Sequence, residues 1–388
     1  MSTEPRAGIV AIILLSLGAC SLCSFAGPVY TVTNIGTLGG PSSSANDINN
    51  LGQVVGGSVT AEGDSRGFLY HNGTLTNLGT PPGLGATNAR SINDAGDIAV
   101  NATSSDNQSV QRAFIYPNGV YQDLGTLSGG SEINATSIAN GGFVTGNGNA
   151  AGSDRRAFLH VGGSTITLGT LGGDRSVGQG VNSLGHVVGY AETATGANHA
   201  FLYTGGAGGA GGAGALQDLG TLGGTVSQAN AINDHGGIAG QSAVNSQGAT
   251  RAFRYQDGNM IDLGTLGDGS SFANDINNAG DVVGYVQANS GPSPFVAFIS
   301  GSDGITDLNT LIPADSGWSL WFAAAINDNG QIVGSGTFKG EPRAFLLTPG
   351  TSGPDPMVPL PPAAIPGAAL LTFLAVRYLL CRSVPSCN

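Results

Sequence analysis

A four-residue phrase that returns at a nearly constant interval is the feature that most limits what this chain can fold into. The phrase is Leu-Gly-Thr-Leu, and the interval between copies is about 43 to 51 residues. Its copies, some of them degenerate, begin at Ile35, Leu78, Leu124, Leu168, Leu219, Leu263 and Leu308. Self-similarity of this length indicates a repeat architecture in which each repeat forms one supersecondary unit.

Two further phrases follow in the same order in every unit. The first is Ile-Asn-x-x-Gly, which begins at Ile48, Ile92, Val181, Ile232, Ile276 and Ile326, with a worn copy at Ile138-Ala139-Asn140-Gly141. The second is Arg-Ala-Phe or a close variant, which ends at Phe68, Phe114, Phe158, Phe201, Phe253, Phe298 and Phe345. The body of the chain therefore holds seven units.

Each unit has the pattern of short strands joined by tight turns. Its apolar runs are roughly four to six residues long and are bounded by Asn, Asp and Gly, which form turns readily. The pairs Asn72-Gly73, Asn118-Gly119 and Asp257-Gly258 are typical of hairpin tips. No sustained helical period is present between residues 30 and 349. Four strands in about 45 residues, the last ending in Leu-Gly-Thr-Leu, match the size of a β-propeller blade.

The two ends of the repeat array complement each other. The array begins with an unaccompanied fourth strand, residues 30–38, and ends with an unaccompanied third strand, residues 343–347. Pairing them predicts an all-β, seven-bladed β-propeller over residues 30–349, closed by its N-terminal strand. An open β-solenoid, which would need caps at both ends, is the alternative.

The repeats also predict specific contacts. Arg112 and Asp123 are eleven residues apart across a hairpin, and Arg251 and Asp262 share this interval. A common interval suggests cross-strand neighbours, so both pairs are expected to form charge-assisted contacts. The Phe of each Arg-Ala-Phe phrase is expected to be buried between blades.

Composition excludes several classes of function. The formal net charge is −12, and Lys339 is the single lysine of the chain. A nucleic-acid-binding surface or a polybasic membrane patch needs clustered basic residues, so both are disfavoured. All four cysteines lie in the end segments, at Cys20, Cys23, Cys381 and Cys387, so the body must be held together by its core.

The N-terminal end has the features of an export signal. Arg6 precedes an apolar stretch over residues 8–19, and Ser24-Phe25-Ala26 places small residues where signal peptidase requires them. Residues 1–26 are therefore predicted to be a signal peptide that is cleaved after Ala26. Alternatively, Leu17-Gly18-Ala19-Cys20 resembles a bacterial lipobox, which implies a lipid on Cys20.

The C-terminal end has the features of a sorting segment. A linker rich in Pro, Gly and Ser at residues 350–357 leads to Val358, Pro359, Leu360 and Pro361, then to an apolar run and Arg382. This order resembles the PEP-CTERM sorting signal in its Val-Pro-Leu-Pro variant. The resemblance implies that residues 358–382 contain a sorting signal and a transmembrane helix. It also implies that an exosortase-like enzyme at the inner membrane of a Gram-negative bacterium processes them.

The three phrases together resemble the HAF-repeat family of probable extracellular bacterial proteins. The resemblance covers about 320 residues, because the phrases recur in order throughout the body. It implies an extracellular location, and it implies no activity and no catalytic residues.

Few residues are candidates for a ligand site. Trp318 and Trp321 are the only tryptophans and could stack on sugar rings, although packing in the core beside the closure is the simpler interpretation. The Asp residues near the Asn-rich reversals, such as Asp47 and Asp275, are interpreted as turn formers rather than calcium ligands. The glycine tract that starts at Gly205 is interpreted as a lengthened hairpin loop. The sequence predicts no catalytic, cofactor-binding or metal-binding residues.

These observations predict an exported protein of the cell surface or the exopolysaccharide matrix that acts as a non-catalytic binding or structural scaffold. Its expected partners are signal peptidase, an exosortase-like sorting enzyme, and an exopolysaccharide or a surface protein. The C-terminal helix is expected to hold it in the membrane before processing. The alternative is an extracellular hydrolase or lyase that acts on polysaccharide at the propeller channel. A buried pair of carboxylates there would favour the alternative.

Overall fold

Seven antiparallel sheets of four strands form the body of the protein, one sheet for each unit. The computed structural model describes residues 30–104, 111–150, 155–205, 215–246, 248–289, 294–301 and 304–350. The chain is a seven-bladed β-propeller in this region, as the repeats predict. The predicted signal peptide with Ala26, the linker after residue 350 and the sorting segment lie outside the described residues.

In the first six blades, the strands follow the chain from the axis to the rim. The strand β1 (Tyr30–Gly36) comes first and belongs to the last sheet. The first two blades contain β2 (Gly39–Ile48), β3 (Val54–Thr60), β4 (Ser65–His71), β5 (Thr74–Asn77), β6 (Leu84–Ile92), β7 (Ile98–Ser104), β8 (Gln111–Tyr116) and β9 (Gln122–Asp123). The third and fourth contain β10 (Ile133–Ala139), β11 (Phe143–Asn149), β12 (Arg155–Val161), β13 (Ser164–Thr167), β14 (Gly172–Val181), β15 (Val187–Thr193), β16 (Asn198–Tyr203) and β17 (Gln217–Asp218).

The remaining blades repeat this plan. The fifth and sixth contain β18 (Ser227–Ile232), β19 (Ile238–Ala243), β20 (Thr250–Gln256), β21 (Asn259–Asp262), β22 (Ser270–Ile276), β23 (Val282–Gln287), β24 (Phe295–Gly301) and β25 (Gly304–Asp307). The seventh contains β26 (Trp318–Ile326), β27 (Ile332–Phe338) and β28 (Glu341–Pro349), after a short 3₁₀ helix at Leu308–Leu311. Within the described ranges, no helix has the length and apolar character needed to cross a membrane.

The N-terminal strand closes the ring. β1 pairs with β28 in antiparallel register, with Tyr30 opposite Pro349 and Gly36 opposite Ala344. The seventh sheet therefore has the order β1-β28-β27-β26. This confirms the predicted pairing of the chain ends and excludes the open solenoid.

The Leu-Gly-Thr-Leu phrase is a crossing between blades, so its predicted place in the fourth strand is wrong. β5 ends at Asn77, and the Asn77 Oδ1 accepts the Gly79 N–H at 2.8 Å. Gly79 has a φ of +71°, a left-handed conformation that ends the strand. The side-chain turn redirects the chain from the outer edge of one sheet to the inner strand of the next.

The repeated Phe residues form the core between blades, as predicted. The side chains of Phe68, Phe158, Phe201, Phe253, Phe298 and Phe345 are fully buried, and Phe114 is nearly so. Each of the six fully buried rings packs among residues of two neighbouring blades; Phe68, for example, shares a cluster with Ala344 of the seventh blade. Burial at the junctions makes the apolar stabilisation a property of the ring rather than of single sheets.

The hairpin tips match their prediction, whereas the predicted ion pairs match only in part. Asn72 and Gly73 both have positive φ, as a two-residue hairpin turn requires. Arg112 forms the expected ion pair with Asp123. Arg251 does not contact Asp262; its Nη1 instead donates to the Gly269 carbonyl oxygen of the next blade at 3.0 Å. The prediction considered one hairpin alone and therefore missed acceptors on the neighbouring blade.

Candidate functional site in the axial channel

The Asn of the Ile-Asn phrase has two separate roles at the mouth of the axial channel. The Asn49 Oδ1 accepts the N–H groups of Leu51 and Gln53, at 3.1 and 2.9 Å, and so shapes the turn after the inner strand. The Asn49 Nδ2 donates to the carbonyl oxygen of Asn93 in the next blade at 2.9 Å. One side chain thus forms the turn and joins two blades.

The same bond recurs around the channel. It runs from Asn49 to Asn93, from Asn93 to Ala139, from Asn182 to Asn233, from Asn233 to Asn277, from Asn277 to Asn327, and from Asn327 back to Asn49. We refer to this circle as the Asn ring. Its one interruption lies between the third and fourth blades, where Ala139 replaces Asn.

A second, exposed circle surrounds the Asn ring. The residue that follows each Asn of the ring donates its backbone N–H to an Asp or Asn side chain of the neighbouring blade. The Asn50 N–H, for example, donates to the Asp94 Oδ1 at 2.8 Å. Equivalent bonds join Asp94 to Asn140, Ser183 to Asp234, Asp234 to Asn278, Asn278 to Asp328, and Asp328 to Asn50. The two circles line a cavity of about 150 Å³ at the channel mouth. This mouth is polar and closely hydrogen-bonded, and Asp94, Asp234 and Asp328 make it negatively charged.

A ring of aliphatic side chains lies directly below the mouth. Its members are all buried, between 4% and 8% exposed: Ile48, Ile92, Ile138, Val181, Ile232, Ile276 and Ile326. Ile92, Ile138, Val181 and Ile232 line both the mouth cavity and a second, deeper cavity of about 250 Å³. The aliphatic ring therefore lies between two polar compartments, and we call the deeper one the chamber.

A β-bulge in every inner strand supplies the lining of the chamber. At the equivalent position of every blade, the pairing register skips one residue: Asn46, Arg90, Thr136, Gln179, Asn230, Asn274 and Ala324. All seven line the chamber. A bulge leaves its extra residue outside the hydrogen-bonded ladder and redirects its side chain, here toward the axis. The repeated backbone feature thus presents Asn in three blades and Arg, Thr, Gln or Ala in the other four.

Some of the bulged residues also join blades. The Asn46 Nδ2 donates to the Ala89 carbonyl oxygen at 2.7 Å, and the Asn274 Nδ2 donates to the Ala323 carbonyl oxygen at 2.8 Å. The side chains of Arg90 and Gln179 have no hydrogen-bond partner among the described residues. These two donors are the groups of the bulge set that remain available to a ligand.

Two carboxylates of the chamber have strongly shifted acidities. The Asp47 Oδ2 accepts the Ser91 hydroxyl at 2.6 Å and the Ile92 N–H at 2.9 Å. Burial raises the pKa of Asp47 to about 7, with a further increase from the negative charge of Asp275 and an opposing effect of these hydrogen bonds. Burial likewise raises the pKa of Asp275 to about 6.

The sequence interpretation placed Asp47 and Asp275 in turns, and this is wrong. Both lie in inner strands, in β2 and β22, immediately after the bulged residue. Asp275 repeats the contact of Asp47, because its Oδ2 accepts the N–H of Ile326 in the next blade at 2.8 Å. The signal was available in the alignment of the repeats, since the other blades have Ser, Gly or Ala at this position.

The two predicted aromatic candidates lie apart from the channel lining. Trp318 is half-buried, with its ring centroid 5.2 Å from that of Phe338 and 6.1 Å, edge-on, from that of Phe345. Trp321 is half-buried on the same strand. Trp318 therefore packs at the edge of the seventh core, and a ligand-binding role for either residue stays a prediction. The sorting residues Val358, Pro359, Leu360 and Pro361 lie outside the described residues.

Comparison with known proteins shows the fold. No family model matches the sequence, and no curated protein matches it. A puromycin-hydrolysing peptidase of Mycobacterium tuberculosis is similar in structure, with a TM-score of 0.54 and 12% identity over 80% of this chain and 51% of that one. This chain thus spans about half the length of the peptidase.

A second similar structure is the β-propeller domain of the Trilobed protease from Pyrococcus furiosus. It has a TM-score of 0.52 and 10% identity, over 79% of this chain and 95% of that domain. That domain is described as having an open velcro topology, whereas β1 closes the ring here. At these identities the likeness concerns the propeller fold alone.

Proposed function

We propose that this chain is an exported, non-catalytic binding or structural scaffold of the cell surface or the exopolysaccharide matrix. The observation that carries the proposal is a contrast between two sets of side chains. The Asn ring joins the blades, whereas the bulged residues line one chamber, where Arg90 and Gln179 have no hydrogen-bond partner among the described residues. A fixed ring that presents a variable set of side chains suits recognition of a ligand.

Export is supported by the two end segments. A signal peptide cleaved after Ala26 would deliver the chain across the inner membrane, and the Val358-to-Pro361 motif would direct it to an exosortase-like enzyme. The resemblance to HAF-repeat proteins supports the same location. A cysteine-free body with a closed core suits persistence outside the cell, where the partner is an exopolysaccharide or a surface protein.

Mass spectrometry of the extracellular fraction, combined with a glycan array and a pulldown, tests this proposal. The mature protein is expected to begin after Ala26, to lack peptides beyond Leu360, and to retain a polysaccharide or a surface protein. A full-length product in the cytoplasm would contradict the proposal. A lipid on Cys20 would replace the signal-peptidase route by the lipoprotein route.

A second candidate function is a polysaccharide hydrolase or lyase, and the two chamber carboxylates favour it. The pKa values of Asp47 and Asp275 are raised toward neutrality, mainly by burial, and the charge of Asp275 adds to the increase at Asp47, as the acid of a catalytic pair requires. Both, however, accept backbone N–H groups of the next blade, which gives them a structural role. Loss of polysaccharide depolymerisation in both Asp47→Ser and Asp275→Ser would establish this alternative. An absence of depolymerisation by the unmodified protein would remove it.

A further inference from the structure

A cavity between the second and third blades is distinct from the channel mouth and the chamber. Its volume is about 540 Å³, within the range of sites that enclose small molecules. Strands β6 and β7 form one wall, and β10 and β11 form the other. Arg90 lines this cavity as well as the chamber, so its guanidinium lies at the border between the two.

Several polar groups on the walls have no hydrogen-bond partner among the residues that the structure describes. The Thr103 Oγ1 is buried without a hydrogen bond. Asn147 is 8% exposed, and its side-chain amide forms no hydrogen bond with the described residues. The side-chain amide of Asn134 also forms no hydrogen bond with the described residues. Asn134 lies opposite Asn147 in the pairing of β10 with β11. Because a buried polar group is nearly always satisfied, the Thr103 Oγ1 indicates a polar ligand, and the two amides offer further hydrogen-bonding groups to it.

Two arginines make the cavity basic in an acidic protein. Arg155 and Arg90 both line it, although the whole chain has 13 basic against 25 acidic residues. Neither guanidinium forms an ion pair or a side-chain hydrogen bond with the described residues, including Glu132 on the same wall. Arg90 and Arg155 are both exposed, so both guanidinium groups are accessible to an anionic ligand.

We propose that this cavity binds a uronic-acid residue of an acidic polysaccharide. The carboxylate would be held by Arg90 and Arg155, and the ring hydroxyls by Asn134, Asn147 and Thr103. Hydroxyl groups both donate and accept, and an amide side chain offers both functions in return, whereas a phosphate would use only donors. The proposal rests on the proposed function, since it names the class of ligand that the scaffold retains.

Isothermal titration calorimetry with the full chain tests this assignment. The probes are tri-galacturonate and its fully methyl-esterified form, which has the same ring hydroxyls and no charge. The acid is expected to bind at least about tenfold more tightly than the ester. Arg90→Gln and Arg155→Gln are each expected to weaken binding of the acid by about tenfold.

Arg175→Gln is the matched control, because Arg175 is exposed on β14 in the fourth blade and removes the same charge. It should change the affinity by less than about twofold, and all variants should retain the thermal unfolding transition of the unmodified protein. Equal affinity for acid and ester, or unchanged binding in both cavity variants, would overturn the assignment. If a glycan array then reveals a different glycan, the binding function stands without the uronate; if the array is also empty, the binding function fails as well.

Discussion

The junction between the seventh and first blades and the junction between the third and fourth blades differ in how completely they are bonded. At the first, which we call the seam, the Asn327 Nδ2 donates to the Asn49 carbonyl oxygen at 2.9 Å, and β1 adds a full strand to the seventh sheet. At the second, Ala139 leaves the Asn ring open.

The difference follows from how each pair of blades is connected. The third and fourth blades are adjacent in sequence, so a short crossing keeps them together even when one hydrogen bond is missing. The seventh and first blades are separated by most of the chain, and closing so long a loop has an entropic cost that contacts must offset. The complete set of bonds therefore lies where the chain itself supplies the least connection.

The largest expected effect comes from removing the strand that closes the seam. Deletion of residues 27–38 leaves the edge of β28 unpaired and exposes Phe345 and its neighbours, which are fully buried in the intact ring. We expect the cooperative thermal unfolding transition, followed by circular dichroism, to be lost or to shift strongly downward. Deletion of residues 27–29 alone is the control. A truncated protein that melts within a few degrees of the control would show that the ring does not depend on its seam.

The second prediction concerns charge at two other junctions, where Asp47 accepts a backbone N–H of the second blade and Asp275 accepts one of the seventh. Asp47 and Asp275 lie in the first and sixth blades, and their pKa values are raised from 3.8 to about 7 and about 6. Between the unfolded and folded pKa values, the folded state binds more protons than the unfolded state. Stability should therefore fall as the pH rises from about 4 toward 7, by at most about 1.4 kcal/mol per pH unit for each group.

Denaturant unfolding at pH 4 to 8 measures this slope, and the chain offers a matched variant. Ser91 occupies in the second blade the position that Asp47 occupies in the first. Its Oγ accepts the N–H of Ile138 at 3.1 Å. Asp47→Ser and Asp275→Ser should therefore retain the bond to the next blade and flatten the profile. A profile that is unchanged in the double variant would assign the pH dependence to other groups.

Much of the architecture could be predicted because repetition averages out local ambiguity. One Asn-Gly pair indicates a turn, but Asn72-Gly73, Asn118-Gly119 and Asp257-Gly258 at equivalent positions define the same connection in three units. The seam could be predicted for the same reason, since a missing strand is visible only against a repeated template. The resulting number of blades and the closure agree with the structure.

The chamber could not be predicted, because it depends on backbone irregularity and on neighbouring blades. A bulge has no local sequence signature, so nothing in the sequence separates Arg90, which lines the chamber, from Asn88, which does not. The raised pKa of Asp47 arises from burial and from Asp275, more than 200 residues away in sequence. Arg251 bonds to the next blade, and an interval measured within one hairpin contains no information on that acceptor.

A third prediction compares the two junctions directly. Asn327→Ala removes the bond to the Asn49 carbonyl oxygen and the side-chain bonds that shape its own turn, at a position that is 4% exposed. It should reduce the free energy of unfolding by about 1–3 kcal/mol. Ala139→Asn supplies the missing amide at the other junction and should raise stability by about 0.5–1.5 kcal/mol. Chemical denaturation measures the free energy of unfolding of both variants. A loss of stability in Ala139→Asn would mean that the turn after β10 cannot adopt the conformation that the Asn side chain supports in the other blades.

The smallest effect should come from a bond that lies within one blade and crosses no junction. Arg112 and Asp123 form an ion pair between β8 and β9, but both side chains remain more than one third exposed. A double-mutant cycle with Arg112→Ala and Asp123→Ala should give a coupling energy of about 0–1 kcal/mol, because water and salt screen an exposed pair. Arg251 is the comparison, since it reaches the backbone of the next blade and its replacement by Ala should cost more. An Arg112–Asp123 coupling that exceeds the effect of Arg251→Ala would mean that bonds within a blade, rather than those across its junctions, set the stability of the ring.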